Sequence, residues 1–347
     1  MIAGAHGSSP ARLLARQRHR RGVSLVELLV AMTLGLGLLG AALTVYLKAR
    51  DVHTTLETTA RLQEVAQYAL GLIESDVRMG GYLGLTSRPE LVSNLDGALT
   101  DASGSPVALR GCAERWATSL AQPLSGWDQS GGAWPLEAPC RPNGRWRDST
   151  DGLIVRRASA ERIEQTAAGL RAYHRHALIA SSPAEARVFV GDVDGSIPAE
   201  FAQADPADAP PQADTRRLLV HAYYVSADSS VAAGYPSLRR KRLVSGPAVQ
   251  DEEIMPGVED LQVQYGVDAD GDGSTDRYVE ADALAADTAV LAARIWLRVR
   301  ASERDPAWDD ATHYAYANQD ERIPGAERAF RRVVVSRTVH LRNARGT

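Results

Sequence analysis

The sequence has 347 residues, of which 44% are hydrophobic and 24% are charged, an ordinary composition for a globular protein of one large or two smaller domains. Of its 39 basic residues, five arginines lie in the first 22 positions, which contain no acid, so 34 basic residues remain against 43 acidic ones. This excess of acidic residues argues against nucleic-acid binding, which depends on positive charge. The sequence has no metalloprotease, serine-hydrolase or phosphate-loop motif, and we predict that the protein is not an enzyme.

The longest apolar stretch is 23–47, 25 residues in which Glu27 is the single charged residue. At about 1.5 Å per residue, a helix of this length crosses a bilayer. The arginine-rich leader, residues 1–22, is expected to stay in the cytoplasm under the positive-inside rule, which sends the C-terminal bulk across the membrane. We therefore predict a single-pass membrane protein with a cytoplasmic N terminus.

A small residue, Gly22, directly precedes this apolar stretch, whereas a secretory signal has its small-residue cleavage site after the apolar region. A cut after Gly22 would remove the leader and keep the helix. The order of basic leader, Gly22, hydrophobic residue and Glu27 resembles the type IV prepilin signal, with Val23 where phenylalanine is commonest. The resemblance implies that the prepilin peptidase of the bacterial inner membrane cleaves between Gly22 and Val23 and methylates the nitrogen of Val23. The alternative is an uncleaved signal anchor.

Glu27 needs a partner, because a carboxylate inside the hydrocarbon costs about 2.5 to 3.5 kcal/mol on insertion scales. Cleavage after Gly22 would create one, since the new α-amino group of Val23 is largely cationic at neutral pH. We expect the amine of a neighbouring subunit to neutralise Glu27 when subunits pack into a filament. In the alternative of a signal anchor, Glu27 lies near the membrane interface and has no assembly role.

Polar residues enter after residue 47, but apolar residues continue at spacings of three and four. This spacing predicts that the helix extends over 48–81 as an amphipathic half with one buried face. Gly80 and Gly81 are expected to end it, because glycine readily adopts the left-handed conformation that follows a last helical turn. The apolar positions are Val52, Leu56, Leu62, Val65, Ala66, Ala69, Leu70, Ile73 and Val77.

The region 85–150 shows little periodicity and many glycine, proline, serine and tryptophan residues, which indicates a long insertion rather than a sheet. Its tryptophans are interpreted as packing residues. Cys112 and Cys140 are the two cysteines of the chain, and an even pair in an exported domain predicts a disulfide. Closing a loop of this size stabilises a fold by about 3 to 4 kcal/mol. A metal site is the weaker alternative, because no histidine stands at ligand spacing from either cysteine.

Short β-rich segments separated by turn residues begin at residue 151. They predict an antiparallel sheet packed on the amphipathic half-helix, an α+β fold, within a globular domain at 82–347. The basic run Arg239–Arg242 is interpreted as a solvated edge strand rather than as a nucleic-acid or partner site. The predicted strands are 151–157, 187–190, 216–225, 238–244, 258–267, 289–300 and 329–341, and a surface loop is predicted at 203–214.

The stretch 268–276, with the sequence DADGDGSTD, places carboxylates at positions one, three, five and nine and glycine at position six. This pattern matches the front of a calcium-binding loop, and Ca²⁺ takes six to eight oxygen ligands. Calcium is the one cofactor that the sequence suggests, and no motif in the sequence requires a cofactor. The alternative is an ordinary turn, since aspartate and glycine are common turn residues. The candidate ligands are Asp268, Asp270, Asp272, the backbone carbonyl of Ser274, Asp276 and Glu280, which stands one place after position twelve.

Two segments, ESDVRMGGYLG at 74–84 and GVEDLQVQYGVD at 257–268, look like the PilW group of minor pilins. The resemblance implies a pilin-like fold and a structural subunit that primes or caps type IV pilus assembly. It also implies other minor pilins, pilus subunits and a tip adhesin as partners, a periplasmic domain before assembly, and roles in cell adhesion and twitching motility. The alternative is a large tip-proximal pseudopilin of a type II secretion system, which shares the N-terminal helix.

Overall fold

The structure, a computed structural model, describes residues 22, 24–86, 88–93, 98–110, 115–128, 134–136, 140–202, 213–285 and 288–344. The chain forms two compact units, Met1–Leu56 and Glu57–Thr347. Helix α1 (Leu25–Arg78) begins in the first unit and ends in the second, which also contains every strand. Within the described ranges two short helices follow, α2 (Arg115–Thr118) and α3 (Ala167–Arg171), with 3-10 turns at Pro89–Leu91, Ala199–Phe201, Ala281–Ala283 and Gly325–Ala329.

The strands in the part of the chain that the structure describes form two main sheets and a separate hairpin. The first sheet has the order β1-β5-β4-β6-β3-β2, with β7 pairing to β6 and β8 to β7, and the second has the order β10-β9-β11-β14. All the pairs are antiparallel except β1 with β5, so the predicted α+β fold is confirmed. The strands of the first sheet are β1 (Val92–Ser93), β2 (Leu124–Trp127), β3 (Gly152–Ile163), β4 (Ala177–Ser181), β5 (Ala186–Val190), β6 (Asp214–Ser226), β7 (Ser237–Val244) and β8 (Ala248–Pro256). The second sheet contains β9 (Val258–Asp268), β10 (Arg277–Val279), β11 (Ala289–Arg300) and β14 (Arg332–His340), and β12 (His313–Tyr316) with β13 (Gln319–Arg322) forms the hairpin.

The second half of α1 lies against the sheets, as its apolar spacing predicts. Its buried side chains join one hydrophobic cluster with the inner face of the second sheet and with part of the first. Val52 and Leu56 differ from the prediction, because they are 58% and 64% exposed and the buried face begins only at Leu62. The buried positions are Leu62, Ala66, Ala69, Leu70, Ile73, Asp76 and Val77.

Helix α1 ends just before the glycine pair, as predicted. The helix ends at Arg78, and Gly81 adopts a φ of 73°, a conformation in which a side chain would be strained. The amide of Gly81 donates to the carbonyl oxygen of Arg156 in β3 at 3.1 Å. The turn therefore passes the chain directly from the helix to the first sheet.

The basic run Arg239–Arg242 is not a solvated edge strand, and that interpretation is wrong. It lies in β7, which pairs with β6 on one side and β8 on the other. Strand β8 carries Asp251, Glu252 and Glu253 opposite the basic residues, and the shortest ion pairs are 2.5 to 2.8 Å long. The charge of β7 is therefore matched by the neighbouring strand, because oppositely charged residues across a ladder attract.

The insertion at 85–150 contains more strand than its composition predicts. Strand β2 lies within it and pairs with β3, and Trp127 stands opposite Gly152 in that pairing. The ring of Trp127 contacts Trp134 edge-on, with the two centroids 5.4 Å apart, and Trp134 contacts Trp146 in the same way. These rings belong to the second hydrophobic cluster, which agrees with the packing interpretation. The predicted loop at 203–214 lies outside the described residues up to position 212, and Asp214 already begins β6.

Candidate functional site

The first half of α1 is apolar and exposed. Of the described residues, α1 is the one helix that is long and apolar enough to cross a membrane by its length and composition, and none of its most apolar stretch is buried. Apolar side chains in water have a free-energy cost that burial removes. Contact with lipid or with other apolar helices would remove this cost for this half of the helix.

The predicted processing site lies just before this helix. Gly22 and Ser24 are exposed, and Val23 lies outside the described residues. The carbonyl oxygen of Ser24 accepts from the amide of Leu28 at 3.0 Å, so the first turn of the helix begins immediately after the predicted cleavage point. Glu27 is exposed in this first turn. A carboxylate is favoured there, because the free amides of a helix N terminus carry partial positive charge.

The acidic loop joins β9 to β10 and brings three of the predicted ligands together. Asp268, Asp270 and Asp276 each offer a carboxylate oxygen, and these oxygens all lie within 4.8 Å of one another. The loop is folded by its own aspartates, since the two oxygens of Asp268 accept from the amides of Gly271 and Gly273 at 2.7 and 2.8 Å. A set of hard carboxylate oxygens suits calcium, and calcium binding stays a prediction.

The side chains of Asp272 and Glu280, two other predicted calcium ligands, are hydrogen-bonded to other groups. Asp272 accepts from the amide and hydroxyl of Ser274 at 2.7 and 2.5 Å, and it is not among the three converging carboxylates. Glu280 accepts from the side-chain amide of Gln264 at 2.6 Å, and burial raises its pKa. The converging carboxylates are therefore an incomplete set of calcium ligands. The predicted site would need water or rearranged side chains to reach six ligands.

The predicted disulfide joins a described residue to one that is not described. Cys140 is buried, at 1% exposure, within the second hydrophobic cluster. Cys112 lies outside the described residues. The pairing of Cys112 with Cys140 therefore stays a prediction.

A buried carboxylate near the end of α1 is a feature that the sequence reasoning missed. Asp76 is 3% exposed. Its Oδ1 accepts from Arg157 Nη2 at 2.7 Å, and its Oδ2 accepts from His221 Nδ1 at 2.5 Å and from the hydroxyl of Tyr223. Arg240 Nη1 lies 4.0 Å from the same Oδ2. Strands β3, β6 and β7 thus all reach one side chain of the helix.

The electrostatics of this cluster favour the ionised acid. Burial alone would raise the pKa of Asp76, but the hydrogen bond from His221, the charge of Arg157 and the hydroxyl of Tyr223 outweigh burial and hold the pKa well below its ordinary value. The sequence does contain a signal for this cluster. Asp76 is a charged residue three positions after Ile73, on the face of the helix that the apolar spacing assigns to the core. Such a residue predicts a buried partner.

Two family models match the chain. The model described as type IV pilus-assembly protein W matches residues 222–343, which include the acidic loop and strands β9, β11 and β14. The model described as the prokaryotic N-terminal methylation motif matches residues 17–43, which include Gly22, Val23 and Glu27. Searches of curated proteins and of solved structures returned no match. The two matches, at opposite ends of an α+β chain with an exposed apolar N-terminal helix, support a PilW-family type IV pilus minor pilin.

Proposed function

We propose that this pilin primes or caps type IV pilus assembly as a structural subunit, together with other minor pilins and a tip adhesin. The observation that carries the proposal is the exposed apolar half of α1 with Glu27 in its first turn, inside the segment that matches the methylation motif. Such a helix is suited to two environments, the bilayer before assembly and the packed core of a filament afterwards. Both would cover its apolar side chains.

Processing would convert the membrane protein into an assembly subunit. The prepilin peptidase would cleave between Gly22 and Val23 and methylate the new N terminus. Before cleavage, the leader would hold the N terminus in the cytoplasm while the β domain lies in the periplasm. The chain is the substrate of this chemistry and has a structural rather than a catalytic role.

Assembly would use Glu27 to set the position of the subunit. A carboxylate surrounded by apolar helices attracts the amine of an adjacent subunit, since the interaction strengthens as the local dielectric constant falls. Only one axial offset between neighbouring helices brings the two groups together. Glu27 would thus fix the register of the subunit, and the large β domain would occupy the exposed end of the filament and limit addition there.

The test is the substitution Glu27→Ala, with Asp51→Ala as a matched control that removes another exposed carboxylate from the same helix. We expect Glu27→Ala to leave the protein in the membrane, to lower its amount in sheared pili, and to reduce the number of surface pili and twitching. Asp51→Ala should change neither. Quantitative immunoblots of membrane and pilus fractions, with pilus counts by electron microscopy, provide the measurement.

Normal recruitment and normal pilus numbers with Glu27→Ala would contradict the proposal. Normal pili together with a loss of type II secretion would contradict it as well, and would instead indicate a tip-proximal pseudopilin. Secretion is therefore measured in the same strains.

A further inference from the structure

The last strand of the second sheet, β14, has one side without a partner strand among the described residues. It is nine residues long, with the sequence RVVVSRTVH, and contains no proline, glycine or acidic residue. Its pairing with β11 runs through nine consecutive residue pairs without a register shift. An edge of this length and regularity presents a row of unpaired backbone groups to other chains.

The other edges of the two main sheets have features that discourage pairing. At the opposite edge of the second sheet, β10 is three residues long. In the first sheet, β8 carries three consecutive acids, ends at Pro256 and has a register shift in its pairing with β7. Strand β2 is four residues long and includes Gly126. Short strands, charge, proline and bulges are the ordinary means of protecting an edge, and of these β14 has only charge, in its arginines and histidine.

The hydrogen bonds at the two ends of β14 show which backbone groups face outward. The amide of Leu341 donates to Leu291 O, and the amide of Ala301 donates to Arg331 O, both at 2.9 Å. Antiparallel ladders alternate, so the odd-numbered residues of β14 bond to β11 and the even-numbered residues turn their amides and carbonyls away from it. These outward residues include Val334, Ser336 and Thr338, and no hydrogen bond from their backbone groups joins them to another described residue.

Basic side chains line this edge. Arg78 and Arg337 are 44% and 39% exposed and both pair with Glu74, whose side chain is only 17% exposed. Arg342 is exposed, and its amide donates to Arg78 O at 3.1 Å, which places it beside them. His340 is exposed at the end of the strand. The edge is thus positive in a protein in which acidic residues outnumber basic ones after the leader, and the charge selects an acidic partner.

We propose that β14 binds an acidic extended segment of another pilus subunit, which adds a strand to the second sheet. The backbone groups of Val334, Ser336 and Thr338 would provide the pairing, and the arginines beside them would select acidic side chains. This inference rests on the proposed function, since it requires that the chain assembles with other subunits. It adds the surface used and the chemistry of the partner.

Two substitutions at Ser336 test the backbone pairing. Ser336→Pro removes an outward amide without removing a bond to β11, because the amide of an even-numbered residue faces away from that strand. Ser336→Val keeps the amide and suits a strand, so it is the matched control. Thermal unfolding of each full-length variant in detergent measures whether the fold is retained. A second disrupting variant, Arg342→Glu, changes the charge of the edge and leaves the backbone unchanged.

The readout is photocrosslinking from benzoylphenylalanine at Thr338 in cells that make pili, with the crosslinked peptides identified by mass spectrometry. We expect an adduct with an acidic segment of another pilus subunit, reduced about tenfold or more by Ser336→Pro, reduced by Arg342→Glu, and unchanged by Ser336→Val. No adduct, an adduct with lipid or with a second copy of this chain, or an adduct insensitive to Ser336→Pro would overturn the proposal. If the wild-type protein is present in sheared pili but gives no adduct, only this inference fails. If it is absent from pili, the proposed function fails.

Discussion

Asp76 connects the second half of α1 to the first sheet of the β domain. Its carboxylate receives hydrogen bonds from Arg157, His221 and Tyr223, and these donors come from two strands of the first sheet. Apolar contacts along α1 tolerate small shifts of the helix, whereas hydrogen bonds to one carboxylate do not. These hydrogen bonds to Asp76 therefore help to fix the position of the helix on the first sheet.

Replacing that acid with its amide, Asp76→Asn, tests the role of the charge. The variant keeps the shape but leaves the guanidinium of Arg157 without its anion, and losing one member of a buried ion pair costs about 3 to 5 kcal/mol. We expect the free energy of unfolding to fall by about 3 kcal/mol at neutral pH. Asp51→Asn, at an exposed position of the same helix, should change it by less than about 0.5 kcal/mol. Chemical denaturation of the full chain in detergent measures both.

The difference in the free energy of unfolding between the wild type and Asp76→Asn should depend on pH. Because the folded-state pKa of Asp76 is lowered, its ionised form stabilises the fold above the unfolded-state value of about 3.9, and this stabilisation is lost as the pH falls toward the folded-state pKa. The difference between the wild type and Asp76→Asn should be complete above about pH 5 and should shrink below it. A difference that stays constant from neutral to acidic pH would show that Asp76 acts through shape alone.

At the scale of elements, the loop between β9 and β10 provides a test of calcium binding. The carboxylates of Asp268, Asp270 and Asp276 converge, and without a cation their charges repel one another. We expect calorimetry of the full-length protein to detect calcium binding tighter than about 1 mM, the weak limit of extracellular sites. Asp270→Asn, which removes one charge and keeps the size of the side chain, should weaken binding about tenfold.

The control for this experiment is Asp194→Asn, in a second aspartate turn where Asp192 accepts from the amides of Asp194 and Ser196 at 3.0 and 2.9 Å. That turn has no comparable cluster of carboxylates among the described residues. The substitution should leave calcium binding unchanged. If the wild type binds no calcium below millimolar concentrations, the stretch 268–276 is an ordinary turn.

Elements with a regular apolar period were predictable from the sequence, and elements defined by their neighbours were not. The spacing along α1 predicts its buried face from Leu62 onward, because the period of a helix alone determines which side chains share a face. The placement of Arg239–Arg242 depends on β8, whose acids carry no apolar period. A Cβ at Gly152 would lie 2.0 Å from the ring of Trp127, so β2 fits there only because β3 has glycine at that position. No local pattern reveals that contact.

At the scale of the whole molecule, the chain combines two parts with opposite surfaces. The first half of α1 exposes apolar side chains, and in the β domain acidic residues outnumber basic ones, with basic side chains along the edge at β14. The sequence predicted this division because hydropathy and charge are properties of long segments. It did not predict the open edge at β14, because the partners of a strand follow from topology rather than from composition.

The proposed cleavage after Gly22 would determine which of these surfaces becomes available for assembly, and Gly22→Val tests this proposal. A Cβ at Gly22 would meet no atom within 4 Å, so the substitution should leave the fold unchanged and act only on recognition by the peptidase. We expect the chain to remain in the membrane with its 22-residue leader attached and to be absent from pili, since the leader keeps the amine of Val23 within a peptide bond. Gly35→Val is the control, because Gly35 is equally free of contacts and lies within the apolar helix, away from the cleavage point. N-terminal sequencing and intact mass of the membrane fraction provide the measurement, and a wild-type mature chain that begins at any residue other than Val23 would contradict the proposed processing site.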